Sequence, residues 1–162
     1  MSKRGLKVRT LIGLAAIGGL VAVIGSQAYA QEQHETPGER AVEYRQALMG
    51  VLATNFGPVG AMAGGKMPFN AALAKKDGAR TAFIATMIGD AFPAISNVPG
   101  KTKAKANIWT DQADFQKKVQ DLVDKAAALQ TATDGGDEAA IKSAAGGVGQ
   151  SCKGCHDDYR AK

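Results

Sequence analysis

The chain has 162 residues, 45% of them hydrophobic and only 6% aromatic, which is one domain's worth of sequence and excludes a second large core. Of its formal charge of +5, four units come from the first thirty residues, where Lys3, Arg4, Lys7 and Arg9 meet no acid, so that 16 basic residues face 15 acidic ones in the remainder. That balance gives nucleic-acid binding no electrostatic support.

Those four basic residues open a secretory signal pattern, with an apolar run from Leu11 to Ile24 and a small-residue cleavage site at Ala28-Tyr29-Ala30. The apolar run is short of the roughly 20 residues a membrane-spanning helix needs. The expected organisation is therefore a cleaved signal peptide over 1–30 and one domain over 31–162, exported to a bacterial periplasm without a stable membrane anchor. His34 falls in the tail before the first helix and reads as solvated.

In the first stretch Thr36 is the expected N-cap, followed by Pro37 at the first helical position and Glu39 in the first turn. Val42, Met49, Leu52 and Phe56 recur along one face, and Gly57-Pro58 is expected to kink or end the helix. The second stretch, from about Asn70 to Phe92, carries Leu73, Phe83, Ile84, Met87, Ile88 and Ala91 and stops at Pro93, with Gly78 and Gly89 counting against regularity. The loop that follows holds Lys101, Lys103 and Lys105, read as solvated rather than as a docking patch.

The third stretch sets Ile108, Phe115, Val119, Leu122, Ala126 and Leu129 on a heptad-like stripe. Asp134-Gly135-Gly136-Asp137 makes the turn into a fourth helix whose broad face takes in Ile141, Ala145, Val148, Cys152, Cys155 and Tyr159. Gly146, Gly147 and Gly149 interrupt it, each at up to about 1 kcal/mol relative to Ala. Either a flat group or a neighbouring helix lies close there, or a tightly packed bundle tolerates them. Four amphipathic helices with short links predict an all-α, antiparallel four-helix bundle.

Cys152-Lys153-Gly154-Cys155-His156 then has the pattern of covalent haem c attachment. Two thiols one helical turn apart can each add to a haem vinyl group, while the adjacent imidazole reaches the iron as proximal ligand. A zinc site needs further ligands, and Cys152 and Cys155 are the only cysteines. A haem-free dithiol or disulfide remains as an alternative from another class. No second histidine near the motif, carboxylate pair or nucleotide-binding glycine pattern offers an enzyme's acid or base.

The position of this motif near the C-terminus, continued by Asp157-Asp158-Tyr159-Arg160, resembles the class II c-type cytochromes, the cytochrome c′ family. Glu43-Tyr44-Arg45-Gln46-Ala47-Leu48-Met49, Ile108-Trp109-Thr110-Asp111 and Gly149-Gln150-Ser151 carry the resemblance through the rest of the domain. It implies one haem c enclosed by the bundle, with Arg45 near a propionate, Trp109 close to the ring and Arg160 on the proximal side. It also implies that Met49 stands where low-spin members carry the sixth iron ligand, so the expected function is one-electron transfer with periplasmic redox partners. The alternative is a five-coordinate iron that binds nitric oxide or carbon monoxide beside an unligated Met49. Homodimers through the first two helices are a further family expectation.

Overall fold

The structure, a computed structural model, describes residues 35–162; the expected signal peptide over 1–30 and His34 lie outside the described residues. Four long helices form the bundle: α1 (Pro37–Ala63), α2 (Ala71–Ala85), α4 (Gln112–Gly135) and α5 (Glu138–Tyr159), with a single-turn α3 (Asn107–Thr110) between the second and third of them. Each long helix packs on two others, α1 on α2 and α5, and α4 on α2 and α5, so the four make a closed ring around one core. No described helix is long and apolar enough to cross a membrane.

The start of α1 is fixed by local chemistry. Thr36 Oγ1 accepts from the Glu39 backbone N–H at 3.2 Å while the Thr36 N–H donates back to Glu39 Oε2 at 2.9 Å, a reciprocal capping box. Lys101 adds an ion pair to Glu39 at 3.1 Å, tying the helix start to the loop after α2. Together the Thr36 backbone bond, Lys101 and the Thr36 hydroxyl hold the Glu39 carboxyl down at a pKa of about 2.

Of the two expectations at Gly57-Pro58, a kink or an end, the end is overturned: α1 continues through them to Ala63. An interior proline costs about 3 kcal/mol. Val59 and Met62 beyond it are buried on the same side as Leu48 and Leu52, and each buried side chain of this size returns about 1.5–3 kcal/mol, enough to carry the helix on. Val42 and Leu52 are buried as expected, whereas Leu48 takes the core position between them and Met49 and Phe56 are half-buried beside the stripe.

The second stretch is shorter than expected, because α2 stops at Ala85 and the chain tightens into i→i+3 turns. Phe83, expected in the apolar set of this stretch, is 69% exposed. The inward face of α2 is made mainly of small residues, Ala74, Gly78, Thr81, Ala82 and Ala85, with Ile84 buried as expected and Asp77 buried beside them. Gly78 shows why: a Cβ there would sit 2.5 Å from Thr133 Oγ1 and 3.2 Å from Thr133 Cβ on α4, so α2 and α4 approach closely only because it has none. The α4 stripe of Phe115, Val119, Leu122, Ala126 and Leu129 is buried as expected, but Ile108 belongs to the separate α3, broken off at Asp111. Gly136 in the left-handed conformation (φ 75°) and the Asp137 N-cap make the turn into α5. Of the glycines that interrupt α5, a Cβ at Gly147 would make ordinary contact with the Lys125 side chain of α4 at 3.4 Å, whereas one at Gly146 or Gly149 would meet nothing from another element within 4 Å.

Two outcomes are expected. Gly78→Ala destabilises the holoprotein in denaturant unfolding by about 1–3 kcal/mol, and by clearly less when Thr133 is also Ala; an equal penalty in both backgrounds contradicts the steric account. Because the Glu39 carboxyl titrates in the folded protein at about 2, below its ordinary 4.5, its contribution is complete above the ordinary value and lost as pH falls through about 2. Glu39→Gln therefore lowers the unfolding midpoint at pH 7, with the gap to the unsubstituted protein closing as pH approaches 2; a gap constant with pH contradicts it.

Candidate functional site

The shortness of α2 creates the site. Its 15 residues leave one end of the longer α1, α4 and α5 without a fourth helix, and residues 86–111 wrap across that end instead. Beneath the wrap lies a cavity of about 590 Å³, lined by α1, the wrapping segment, α3, α4 and α5 but not by α2. That volume is within the range of small-molecule and cofactor sites, about 300–1,000 Å³.

Arg45 on α1 fastens the wrap from inside. It is 3% exposed and donates from Nη1 to Ser96 Oγ at 2.7 Å and from Nη2 to Thr102 Oγ1 at 3.1 Å. Its guanidinium lies 4.8 Å from the Phe92 ring centroid and 5.7 Å from that of Trp109. Among the described residues no carboxylate pairs with it. Burial pushes its pKa below the ordinary arginine value, yet a guanidinium stays charged in a protein. Trp109 holds the same segment from the other side, donating from Nε1 to the carbonyls of Phe92 and Pro93, both at 3.2 Å.

The opposite wall is the last turns of α5. Cys155 and His156 open on the cavity, and Cys152, one turn earlier, is half-buried against the core beside it. Burial raises the pKa of both thiols, the reverse of the lowered value that an exchange-active dithiol needs. Partial burial and the Arg160 charge lower that of His156, favouring the neutral imidazole that can bind a metal. A smaller groove of about 240 Å³ between α4 and α5 reaches Cys155 from its other side, between Lys118 and Lys125.

The end of α5 is pinned in three ways. The Lys105 N–H donates to the Tyr159 carbonyl at 2.9 Å and the Ala161 N–H to the Lys103 carbonyl at 2.8 Å, forming a bridge between the wrap and the chain end. Lys105 Nζ donates to the Asp157 and Asp158 carbonyls at 3.1 and 3.0 Å, capping the helix C-terminus. The Tyr159 hydroxyl donates to Asp114 Oδ2 at 2.7 Å, across to α4.

Of the residues singled out from sequence, Arg45, Met49, Cys155, His156 and Arg160 therefore line one cavity, with Cys152 at its margin. Trp109 does not line it but stands behind Phe92 and Arg45. The lysine loop is solvated at Lys101 and Lys103 as expected, but it also makes contacts: Lys101 pairs with Glu39, Lys105 caps α5, and Lys103 lines the cavity. Sequence reasoning missed Phe92, which sits in an irregular segment without periodicity, and took Phe115 as plain core although it faces the cavity; Tyr159, expected on the face of the fourth helix that carries the two cysteines, lines the cavity with them.

The lining suits haem c. Met49, Phe92, Ile108 and Phe115 supply apolar surface for a macrocycle, and Arg45, Lys103 and Arg160 supply three cations against no carboxylate, which matches a ligand bearing two propionates. Two thiols and an imidazole at one end supply the attachment chemistry.

Comparison with known proteins agrees. The family model for cytochrome c′ matches residues 40–160. A cytochrome c′ from Rubrivivax gelatinosus is 37% identical over 130 residues, 80% of this chain and all of the relative. Among solved structures, cytochrome c prime from Shewanella frigidimarina aligns with a TM-score of 0.73 at 43% identity, covering 77% of this chain and 97% of that one. A nitric oxide complex of a mutant cytochrome c prime from Alcaligenes xylosoxidans aligns with a TM-score of 0.71 at 34% identity, covering 77% and 97%. The chain belongs to the cytochrome c′ family, an antiparallel four-helix bundle whose cofactor is one haem c, covalently held through Cys152 and Cys155.

Proposed function

We propose that the protein is a five-coordinate haem protein that binds nitric oxide or carbon monoxide, with His156 as the one axial ligand from the chain and Met49 beside the open face of the iron. The observation that carries this reading is the match, over 77% of the chain, to a cytochrome c prime solved with nitric oxide bound. It displaces electron transfer through a Met49-ligated iron, the reading favoured from sequence. Bound haem supplies a ferrous iron able to take up a diatomic ligand. The chain's residues do the rest.

His156 is presented with its pKa lowered toward the neutral form, from a helix end held by Lys105 and Tyr159, which fixes its backbone while the exposed ring is left to turn toward the iron. Arg45 supplies a fixed, desolvated cation for a propionate, with Lys103 and Arg160 nearer the mouth. Trp109 backs the ring through Phe92 and keeps the wrapping segment closed over it. Met49, Ile108, Phe92 and Phe115 make a wall without polar side chains, which admits a neutral diatomic and offers an anion at the iron no hydrogen-bond donor.

Export to the periplasm and cleavage after Ala30 belong to the same reading. The mature chain would then be about the length of the Rubrivivax relative, which is matched in full over 130 residues. Uptake of these gases by ferrous iron requires a reductant, which keeps periplasmic redox proteins among the partners. A homodimer through α1 and α2 is supported by the large apolar side chains those helices leave in solvent, Tyr44 at 47%, Val51 at 49% and Phe83 at 69% exposed.

The ferrous holoprotein is expected to show a broad high-spin spectrum that shifts on adding carbon monoxide, and Met49→Ala is expected to keep that spin state while accelerating carbon monoxide uptake by about tenfold or more, one methionine's worth of crowding at about 1.4 kcal/mol or above. A sharp low-spin spectrum, insensitive to carbon monoxide until Met49 is replaced, contradicts the proposal and restores methionine ligation.

A further inference from the structure

Tyr159 is a chemically unused group in the haem cavity. It is 4% exposed, lines the cavity three residues after His156, and has one hydrogen-bond partner, Asp114 Oδ2 at 2.7 Å on α4. Its ring stands edge-on to Phe115 at 5.2 Å, Phe115 edge-on to Phe92 at 4.8 Å, and the Arg45 guanidinium covers Phe92 at 4.8 Å. An aromatic row thus runs along the cavity and ends at a phenol already bonded to a base. The other described tyrosine, Tyr44, is exposed on α1 and has no such partner.

We propose that Tyr159 is a redox-active residue, giving an electron to the haem site and its proton to Asp114 when hydrogen peroxide oxidises the ferrous protein. One peroxide takes one electron from ferrous iron and one from Tyr159. Two protons from solvent complete two molecules of water, leaving ferric haem, a neutral phenoxyl radical at Tyr159 and a protonated Asp114. The hydrogen bond decides which step is open. Burial and the Asp114 carboxylate raise the phenol's pKa, so it does not lose a proton alone. Losing an electron alone would leave a cation in an apolar wall. Losing both together leaves two neutral partners, so one oxidising equivalent comes to rest on Tyr159. The inference rests on haem c being seated in this cavity with an iron open to peroxide.

The experiment is anaerobic mixing of the ferrous holoprotein with hydrogen peroxide, rapid freezing, and electron paramagnetic resonance, using ring-deuterated tyrosine to identify the radical. A tyrosyl signal is expected in the unsubstituted protein and in Tyr44→Phe and is lost in Tyr159→Phe. Asp114→Asn, checked by circular dichroism and carbon monoxide binding to be folded and haem-loaded, is expected to lose most of the radical yield. A tyrosyl signal that survives in Tyr159→Phe, an unchanged yield in Asp114→Asn, or iron oxidation without a tyrosyl signal overturns the inference. Carbon monoxide binding separates the failures: a protein that binds it yet forms no radical refutes the role of Tyr159 alone, and one that does not bind it refutes the open iron on which both readings rest.

Discussion

A full positive charge buried in the bundle without a carboxylate partner organises this protein. Desolvating a guanidinium costs several kcal/mol even after relaxation. Arg45 recovers part of that from hydrogen bonds to Ser96 and Thr102 and from the faces of Phe92 and Trp109; hydrogen bonds to charged groups are worth about 1.5–3 kcal/mol each and cation–π contacts about 0.5–2. All four partners belong to the irregular stretch between α2 and α4, so the side chain that most needs partners is also the one that gathers this stretch over the cavity. The charge left uncompensated then favours an anionic occupant, which haem propionates satisfy.

The same end of the molecule depends on a helix that stops early. Because α2 packs on α4 through Gly78 and a row of small residues, the lower bundle is tight, and because it ends at Ala85 the upper bundle is open. The cofactor takes the place of a fourth helix there. Its covalent anchor is on α5, the most firmly held element at that end: Lys105 caps its carbonyls, the bridge at Ala104 and Arg160 closes the chain end against the wrap, and Tyr159 reaches across to Asp114. On the proposed reading, a firmly held α5 would fix the backbone from which His156 reaches the iron, and the wrap would form the wall opposite it.

The parts of this account legible in the sequence were those with a local rule. The attachment motif, the Thr36–Glu39 capping box, the Phe115 to Leu129 stripe and the Asp137 turn each follow from spacing within a few residues. The errors fall where a distant partner overrides the local rule. Pro58 stays helical because Val59 and Met62 find a core, and Phe83 faces solvent because α2 is chosen for closeness to α4 rather than for bulk. Lys101 and Lys105 look like loop charges until Glu39 and the end of α5, far away in sequence, are seen beside them. Arg45 was placed near the haem by family resemblance, but its burial without a counter-ion could be learned only from the packed structure.

The central claim is that His156 alone among the chain's residues holds the iron, leaving its other face open beside Met49. Iron X-ray absorption on the ferrous holoprotein reads that coordination shell directly. The account predicts five nitrogen scatterers, four from the macrocycle and one from imidazole, with no sulfur shell; a sulfur scatterer at bonding distance would show that Met49, or another methionine, ligates the iron and would contradict it.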